Sequence, residues 1–295
     1  MKINKSKIEN YIYGNARGLD IALYDFYFNN GDKAVVIKEL SKYQNHDGGF
    51  GNALEPDVQT PDSSPYVTTI ALQYLVNINV DKDEEIVKST IKYLNNTYNK
   101  EIKGWLSVSK SVEDYPHAPW WRYEEGLKEE WGNPSAEILA YLLFYDEENN
   151  LIPELKQKAL NRLQKIVKPE FHELKNYCRL YELANENDFK EKIYFKLSKL
   201  ILEVAEIDST KWGGYVSTPL TFIENPKSKL ASIFNLEILE KNIEFLISTI
   251  KMDNHWEPNW SWGELYPEVW DQAKGEWSGF ITVNTLKILN NFDKF

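Results

Sequence analysis

The stretch NPSAEILAYLLFY, residues 133–145, decides how the chain is read. It opens with an Asn suited to cap a helix and a Pro at the first helical position. From there it is apolar on almost every side, the pattern of a helix packed all round. The neighbouring stretch, residues 153–167, places Leu155, Ala159, Leu163 and Ile166 at helical spacing and carries a lysine-rich opposite face. One helix is expected inside and its neighbour outside.

The same alternation extends in both directions. Inner helices are expected near 15–29, 64–78, 133–146, 170–185 and 279–291, with a short piece near 217–224. Outer helices are expected over 33–43, 84–97, 153–167, 188–205 and 235–251. No strand-period alternation competes, so the fold class is all-α. About five and a half hairpins of roughly 50 residues suit a single α/α toroid over 1–295. In such a ring all outer-to-inner connections share one rim, and these are the long ones: 44–63, 98–132, 206–216 and 252–278. Long ordered loops tend to carry function.

All ten tryptophans are expected in those connections or at their edges and none on a helix stripe: Trp105, Trp120, Trp121, Trp131, Trp212, Trp256, Trp260, Trp262, Trp270 and Trp277. Large rings there either lock neighbouring hairpins or line a funnel.

Composition narrows the partners. With 34 basic and 45 acidic side chains in 295 residues, the net charge is -11, which disfavours nucleic acid and anionic membrane surfaces. One cysteine, Cys178, excludes an internal disulfide and fits a reducing compartment. The first 20 residues lack an apolar signal-peptide core and no membrane-length apolar run occurs, so a cytoplasmic protein without integral membrane association is expected. Nothing in the sequence sets an oligomeric state.

Gln44-x-x-x-Gly48-x-Phe50 resembles the QW repeat (Q-x-x-x-G-x-W) of squalene and oxidosqualene cyclases and the related repeat of protein prenyltransferase β subunits. Degenerate copies are Gly213-x-Tyr215 and Gln272 with Gly275-x-Trp277, and Gly104-Trp105 is a weaker echo. In such repeats glycine allows the turn, while the amide and ring lock one hairpin to the next. The resemblance implies a toroid of the terpenoid cyclase and prenyltransferase type. DGGFGNALEPD, NAR near the start and APWW mid-chain also resemble a bacterial prenyltransferase-like family.

The known chemistries of that fold are not all present. The chain lacks D-x-D-D, and Asp81-x-Asp83-Glu84 reads as the start of an outer helix. It has no Asp-Asp pair for D-D-x-x-D. The zinc set of the prenyltransferases fails at Asn176, which stands where D-x-C needs Asp before Cys178, and His172 would face away from Cys178. No metal and no cofactor is expected.

Catalytic candidates are Asp47, Glu55, Asp57, His46 and His117. Glu55 and Asp57 form a close pair able to share a proton. Substrate-binding candidates are Asn15, Arg17, Asp62, Trp120, Trp121, Arg122, Glu257, Trp260 and Trp262. Asn15 and Arg17 are expected to begin the first inner helix, with Arg17 clamping Glu55 or Asp57 or meeting an anionic substrate. The second cluster also holds Glu113, Asp114, Tyr123, Glu124 and Glu125; the third also holds His255, Glu264, Glu268, Asp271 and Glu276. The expected partner is a small molecule, an isoprenoid-like apolar substrate in an aromatic funnel. The alternatives are a carbohydrate-active enzyme using carboxylates beside Trp256, Trp260 and Trp262, or a non-catalytic binding module.

Overall fold

The computed structural model describes residues 3–123 and 131–295. The described residues form twelve α-helices joined by loops and short 3-10 turns, with isolated bridges and no strand. In chain order they are α1 (Lys5–Asn15), α2 (Gly18–Phe28), α3 (Lys33–Leu40), α4 (Pro65–Asn77), α5 (Glu85–Thr97), α6 (Gly132–Tyr145), α7 (Ile152–Lys165), α8 (Phe171–Leu183), α9 (Asn187–Val204), α10 (Pro219–Phe222), α11 (Leu236–Ser248) and α12 (Pro267–Asn291). Among the described residues no helix is long and apolar enough to cross a membrane.

The chain divides into two compact units, Tyr43–Val204 and Met1–Lys42 with Ala205–Phe295. In the first, α4 packs on α6 and α6 on α8, while α5, α7 and α9 pair with those three in turn. The all-round apolar pattern of 133–145 becomes all-round burial: within α6 only Asn133, Leu143 and Phe144 keep appreciable exposure. Helix α7 buries one face, Ile152, Leu155, Ala159 and Leu163. Each of its buried Ile and Leu side chains is worth about 1.5–3 kcal/mol of apolar transfer. In the second unit α2 packs on α1, α3 and α12, α1 also meets α12, and α10 packs on α11.

Two elements depart from the sequence expectation. Helix α1 is an addition: Asn4 caps it by accepting from the Lys7 amide at 3.1 Å, and it buries only Ile8 and Ile12, too short a stripe to signal a helix. Consequently Asn15 ends α1, and Arg17 immediately precedes α2. Helix α12 starts at Pro267, well before the expected 279, and so takes up Trp270 and Trp277. Gly275 therefore lies mid-helix facing open space, and the Gly275-x-Trp277 copy is no turn.

The repeat that the fold does use has a common geometry. Ahead of Phe50, Trp105 and Trp256 the backbone takes positive φ at Gly48, Lys103 and Asn254, two residues before each ring. A carbonyl one residue before the ring, of Gly49, Gly104 or His255, accepts from the amide of Asn45, Asn99 or Lys251 at 2.9 Å. The ring residue's own amide donates to a hydroxyl of the next helix: Phe50 to Thr68 at 3.0 Å, Trp105 to Ser135 at 3.1 Å, and Trp256 to Thr282 at 3.0 Å. The two indoles then donate back into the preceding helix, Trp105 to the Leu94 carbonyl and Trp256 to that of Leu246, each at 2.8 Å.

Gln44 completes the first copy, its amide donating to the Gly48 carbonyl at 3.0 Å and to Ser89 and Thr90 of α5. At Trp212 the indole donates to the Glu206 carbonyl at 2.6 Å, while Gly213 faces open space and Tyr215 is exposed, so this copy lacks the close glycine turn of the first.

A separate lock joins α6, α7 and α8. Buried Glu173 accepts from Arg162 through both its oxygens, at 2.9 and 2.7 Å, and from the Gly132 amide at 2.8 Å.

A methyl group at Gly48 would lie 2.3 Å from the Ser89 carbonyl oxygen at φ +91°. Gly48→Ala is expected to lower stability by about 3 kcal/mol, strain and overlap together. Gly213→Ala is expected to stay within about 0.5 kcal/mol of wild type. Urea unfolding of both checks the assignment of the repeat.

Candidate functional site

In the unit Tyr43–Val204, the first and second long loops are stitched by backbone pairing. Val58 bridges His117, the Gln59 amide donates to the Pro116 carbonyl at 3.1 Å, and the Ala118 amide to the Asp57 carbonyl at 2.9 Å. Glu55, Asp57 and His117 are all buried. The Nδ1 atom of His117 lies 2.8 Å from the Tyr115 carbonyl, which can only accept, so Nδ1 carries the hydrogen. In the neutral ring Nε2 is then the acceptor, and it has no protein partner among the described residues.

From Ala118 the chain enters a 3-10 turn, Pro119–Trp121, in which Trp120 is 42% exposed and Trp121 only 8%. Trp121 packs against Tyr66, ring centres 4.2 Å apart and planes tilted by 44°. Tyr66 is fixed in the first turn of α4, behind Pro65 and the Ser64 cap. Burial, then Glu55 and Glu137, and Asp57 more weakly, push its hydroxyl well above the usual tyrosine range, with Arg179 opposing. These four ionisable groups therefore share one electrostatic environment with the Tyr66–Trp121 pair.

Glu137 ties the three inner helices together. Only 1% exposed on α6, it accepts from Gln73 of α4 at 2.9 Å, from Arg179 of α8 at 3.0 Å, and from Tyr141 one turn on. Arg179 also donates to the Gln73 carbonyl oxygen at 3.3 Å and to Asn176 at 3.2 Å. Asn176 in turn reaches Asn133 at 3.1 Å. Burial and Glu137, against Arg179, hold the Tyr141 hydroxyl well above its ordinary value.

The remaining candidates of this unit serve loop structure or stand apart. Asp47 is exposed and accepts from the Gly49 amide at 2.9 Å and the Ser63 hydroxyl at 2.8 Å, a turn-forming role. His46 and Arg122 are exposed, as is Asp62, whose backbone amide donates to the Thr60 hydroxyl at 3.2 Å. Glu124 and Glu125 lie outside the described residues. Cys178 is a buried core thiol, Asn176 is spent on Asn133, and His172 pairs with Glu170 at 2.6 Å.

In the other unit Arg17 grips buried Asp20 with two bonds, at 2.8 and 3.2 Å, and Asn15 bonds back to the Tyr11 carbonyl at 2.9 Å. Glu257 is drawn on by Lys251 and Lys274, each at 3.4 Å, and by His255 at 3.5 Å. Burial works against its ionisation, yet those three groups hold the carboxyl below its ordinary value. Trp262 is 1% exposed and packs on Trp270, while Trp260 meets Trp277 edge to face at 5.1 Å. Trp256 and Trp262 are thus buried, and Glu257 is occupied, so the carboxylate-and-indole set of the carbohydrate alternative is largely used internally.

A comparison of the sequence with protein-family models gives no match, and a comparison with curated proteins gives none either. A cavity of about 570 Å³ lies elsewhere, along α7, lined by Lys103, Glu154, Lys158, Arg162 and Lys165 among others. Its cations are mostly engaged: Lys103 with Glu154, Lys158 with the Ile102 carbonyl, and Arg162 with Glu173. The Tyr66 cluster is therefore the stronger candidate.

The sequence reading omitted Tyr66, Gln73, Glu137, Tyr141 and Arg179. One signal was available: Glu137 is the only charge in a helix that is otherwise apolar on almost all sides, and a buried charge requires partners.

Arg179→Met leaves Glu137 buried beside an apolar side chain and is expected to cost about 3 kcal/mol. Arg179→Met with Glu137→Leu is expected to recover most of it, as denaturant melts of the two proteins would report. His255 supplies a pH dependence. Stacked on Tyr11 at 3.9 Å, its imidazole is held below the usual 6.5 by burial, with Glu257 and Asp253 opposing and Lys251 assisting. The unfolded chain then binds the extra proton first, so stability present above pH 6.5 falls as the pH drops toward the lowered folded value. His255→Phe is expected to flatten that part of the melting-temperature profile.

Proposed function

We propose that the protein is an α/α toroid of the terpenoid cyclase and prenyltransferase type that binds a small, isoprenoid-like apolar ligand and acts on it by proton transfer. The observation that carries the reading is the Tyr66–Trp121 ring pair held in one environment with the buried acids Glu55 and Asp57. Aromatic faces attract a developing carbocation, and a nearby carboxyl group can deliver or remove the proton that creates or quenches it. His117, with Nε2 as an acceptor, is a second proton carrier on the same stitched loops. Glu137 and Arg179 neutralise each other and frame the site.

The inner and outer helix rows of Tyr43–Val204 and the recurring aromatic turn support the toroid reading. The warrant for an isoprenoid is the likeness of the repeat together with the ring chemistry, and a fold alone hosts many functions.

A thermal-shift screen with prenyl alcohols, prenyl diphosphates, terpene hydrocarbons and oligosaccharides tests the reading, since a ligand of the folded state raises the melting temperature by mass action. At least one isoprenoid is expected to raise it, and Trp121→Ala to abolish the rise. With that ligand as substrate, Asp57→Asn or Glu55→Gln is expected to lower product formation about 100-fold or more. A response to sugars alone overturns the proposal, and unchanged turnover in both acid variants removes the proton-transfer role.

A further inference from the structure

We propose that the cavity along α7 is a binding site for a small phosphate-bearing molecule, held by Lys158 and Lys165, with Lys103 and Arg162 adding charge. The site shares no residue with the ring pair of Tyr66 and Trp121 and does not depend on the reading above.

Geometry comes first. Glu154, Lys158, Arg162 and Lys165 stand at i, i+4, i+8 and i+11 on α7, so one face of the helix carries all four. Lys103 joins them from the loop after α5. That loop is fixed to α7 by several bonds: the Lys158 ammonium donates to the Ile102 carbonyl, Lys103 pairs with Glu154, and the Tyr98 hydroxyl donates to Glu154 at 2.9 Å. The Trp131 ring, centred 5.6 Å from Lys158 Nζ, donates through its indole to the Lys103 carbonyl at 3.0 Å. The walls are therefore set by the protein's own contacts. At about 570 Å³ the cavity is of a size that holds a small molecule.

Charge comes second. Four cations line the cavity and two carboxylates meet them, Glu154 on Lys103 and Glu173 on Arg162. That leaves an excess of two positive charges, in a chain whose net charge is -11. Among the described residues Lys165 has no ion pair, and the one hydrogen bond of the Lys158 ammonium goes to a neutral carbonyl. Like charges one helical turn apart repel, as Lys158 and Arg162, and Arg162 and Lys165, must do. Burial first, and then Lys103, hold the Lys158 ammonium below its ordinary value, with Glu154 opposing. The helix end explains part of the pattern, because cations near a C-terminus oppose the dipole. It covers Arg162 and Lys165, the basic residues of the last turn, but neither Lys103 nor Lys158.

The donor chemistry selects the anion. A lysine ammonium is a compact point charge with three hydrogens, and the Arg162 fork is already committed to Glu173. Such a set suits a compact group with about two negative charges and three acceptor oxygens, as a phosphate monoester has. A carboxylate brings one charge, and a neutral apolar molecule leaves the whole excess unanswered.

The experiment titrates inorganic pyrophosphate, glucose 6-phosphate and oligoglutamate into the full chain by calorimetry at constant ionic strength, so that screening is the same throughout. Saturable binding of at least one of the two phosphates is expected. Lys158→Gln is expected to weaken it about tenfold and Lys165→Gln about threefold. Lys227→Gln, the same loss of charge at an exposed position of the other unit, is expected to leave it unchanged, as is Trp121→Ala. Lys165 is exposed, so its variant carries the test if Lys158→Gln, which also loses the bond to Ile102, folds poorly. No saturable binding of either phosphate, wild-type affinity in both lysine variants of the cavity, an equal loss in Lys227→Gln, or binding of oligoglutamate alone overturns the inference and leaves the isoprenoid reading standing.

Discussion

The carboxylate of Glu137 imposes a constraint on which much of the unit Tyr43–Val204 depends. A charge at 1% exposure, in a helix otherwise packed with apolar side chains, is tolerable only if its oxygens are answered. They are answered from α4 by Gln73, from α8 by Arg179 and from α6 itself by Tyr141. Apolar burial presses the helices together without specifying their register, whereas these bonds require particular side chains at particular depths. The same residues bring Glu137 and Arg179 into the environment of Tyr66, where Glu55 and Asp57 arrive separately from the stitched first loop.

The loops are held by a different device. Three turns place an aromatic residue so that its amide is answered by a hydroxyl of the following helix, and the two indoles among them also reach the preceding helix. These contacts divide the aromatic residues by purpose. Trp105 and Trp256 have their polar atoms satisfied and are locks. Trp121 and Trp260 each have a buried N–H that is unanswered, which locking does not explain. Part of the abundance of tryptophan thus reflects hairpin joints, and in the unit Tyr43–Val204 the ligand question falls on Trp121 and its partner Tyr66.

How much of this was legible varied with the range of the interaction. The contrast between 133–145 and 153–167 is local, and it correctly separated a helix buried all round from one buried on a face. Gly48 was legible because its turn needs positive φ and its neighbour Ser89 leaves no room for a side chain. The equivalent turn before Trp256 uses Asn254, which tolerates positive φ without announcing it, so Gly275 drew the reading to a helical segment instead. Glu55, Asp57, His117 and Trp121 could be nominated from their loops. Their companions could not, because Gln73 and Arg179 stand 106 residues apart and meet only when α4, α6 and α8 are packed.

The most direct test of the account is a crystal structure of the protein soaked with a prenyl alcohol at saturating concentration. The account predicts the chain of the ligand against the faces of Tyr66 and Trp121. Ligand density confined to the lysine-lined cavity along α7 would contradict it.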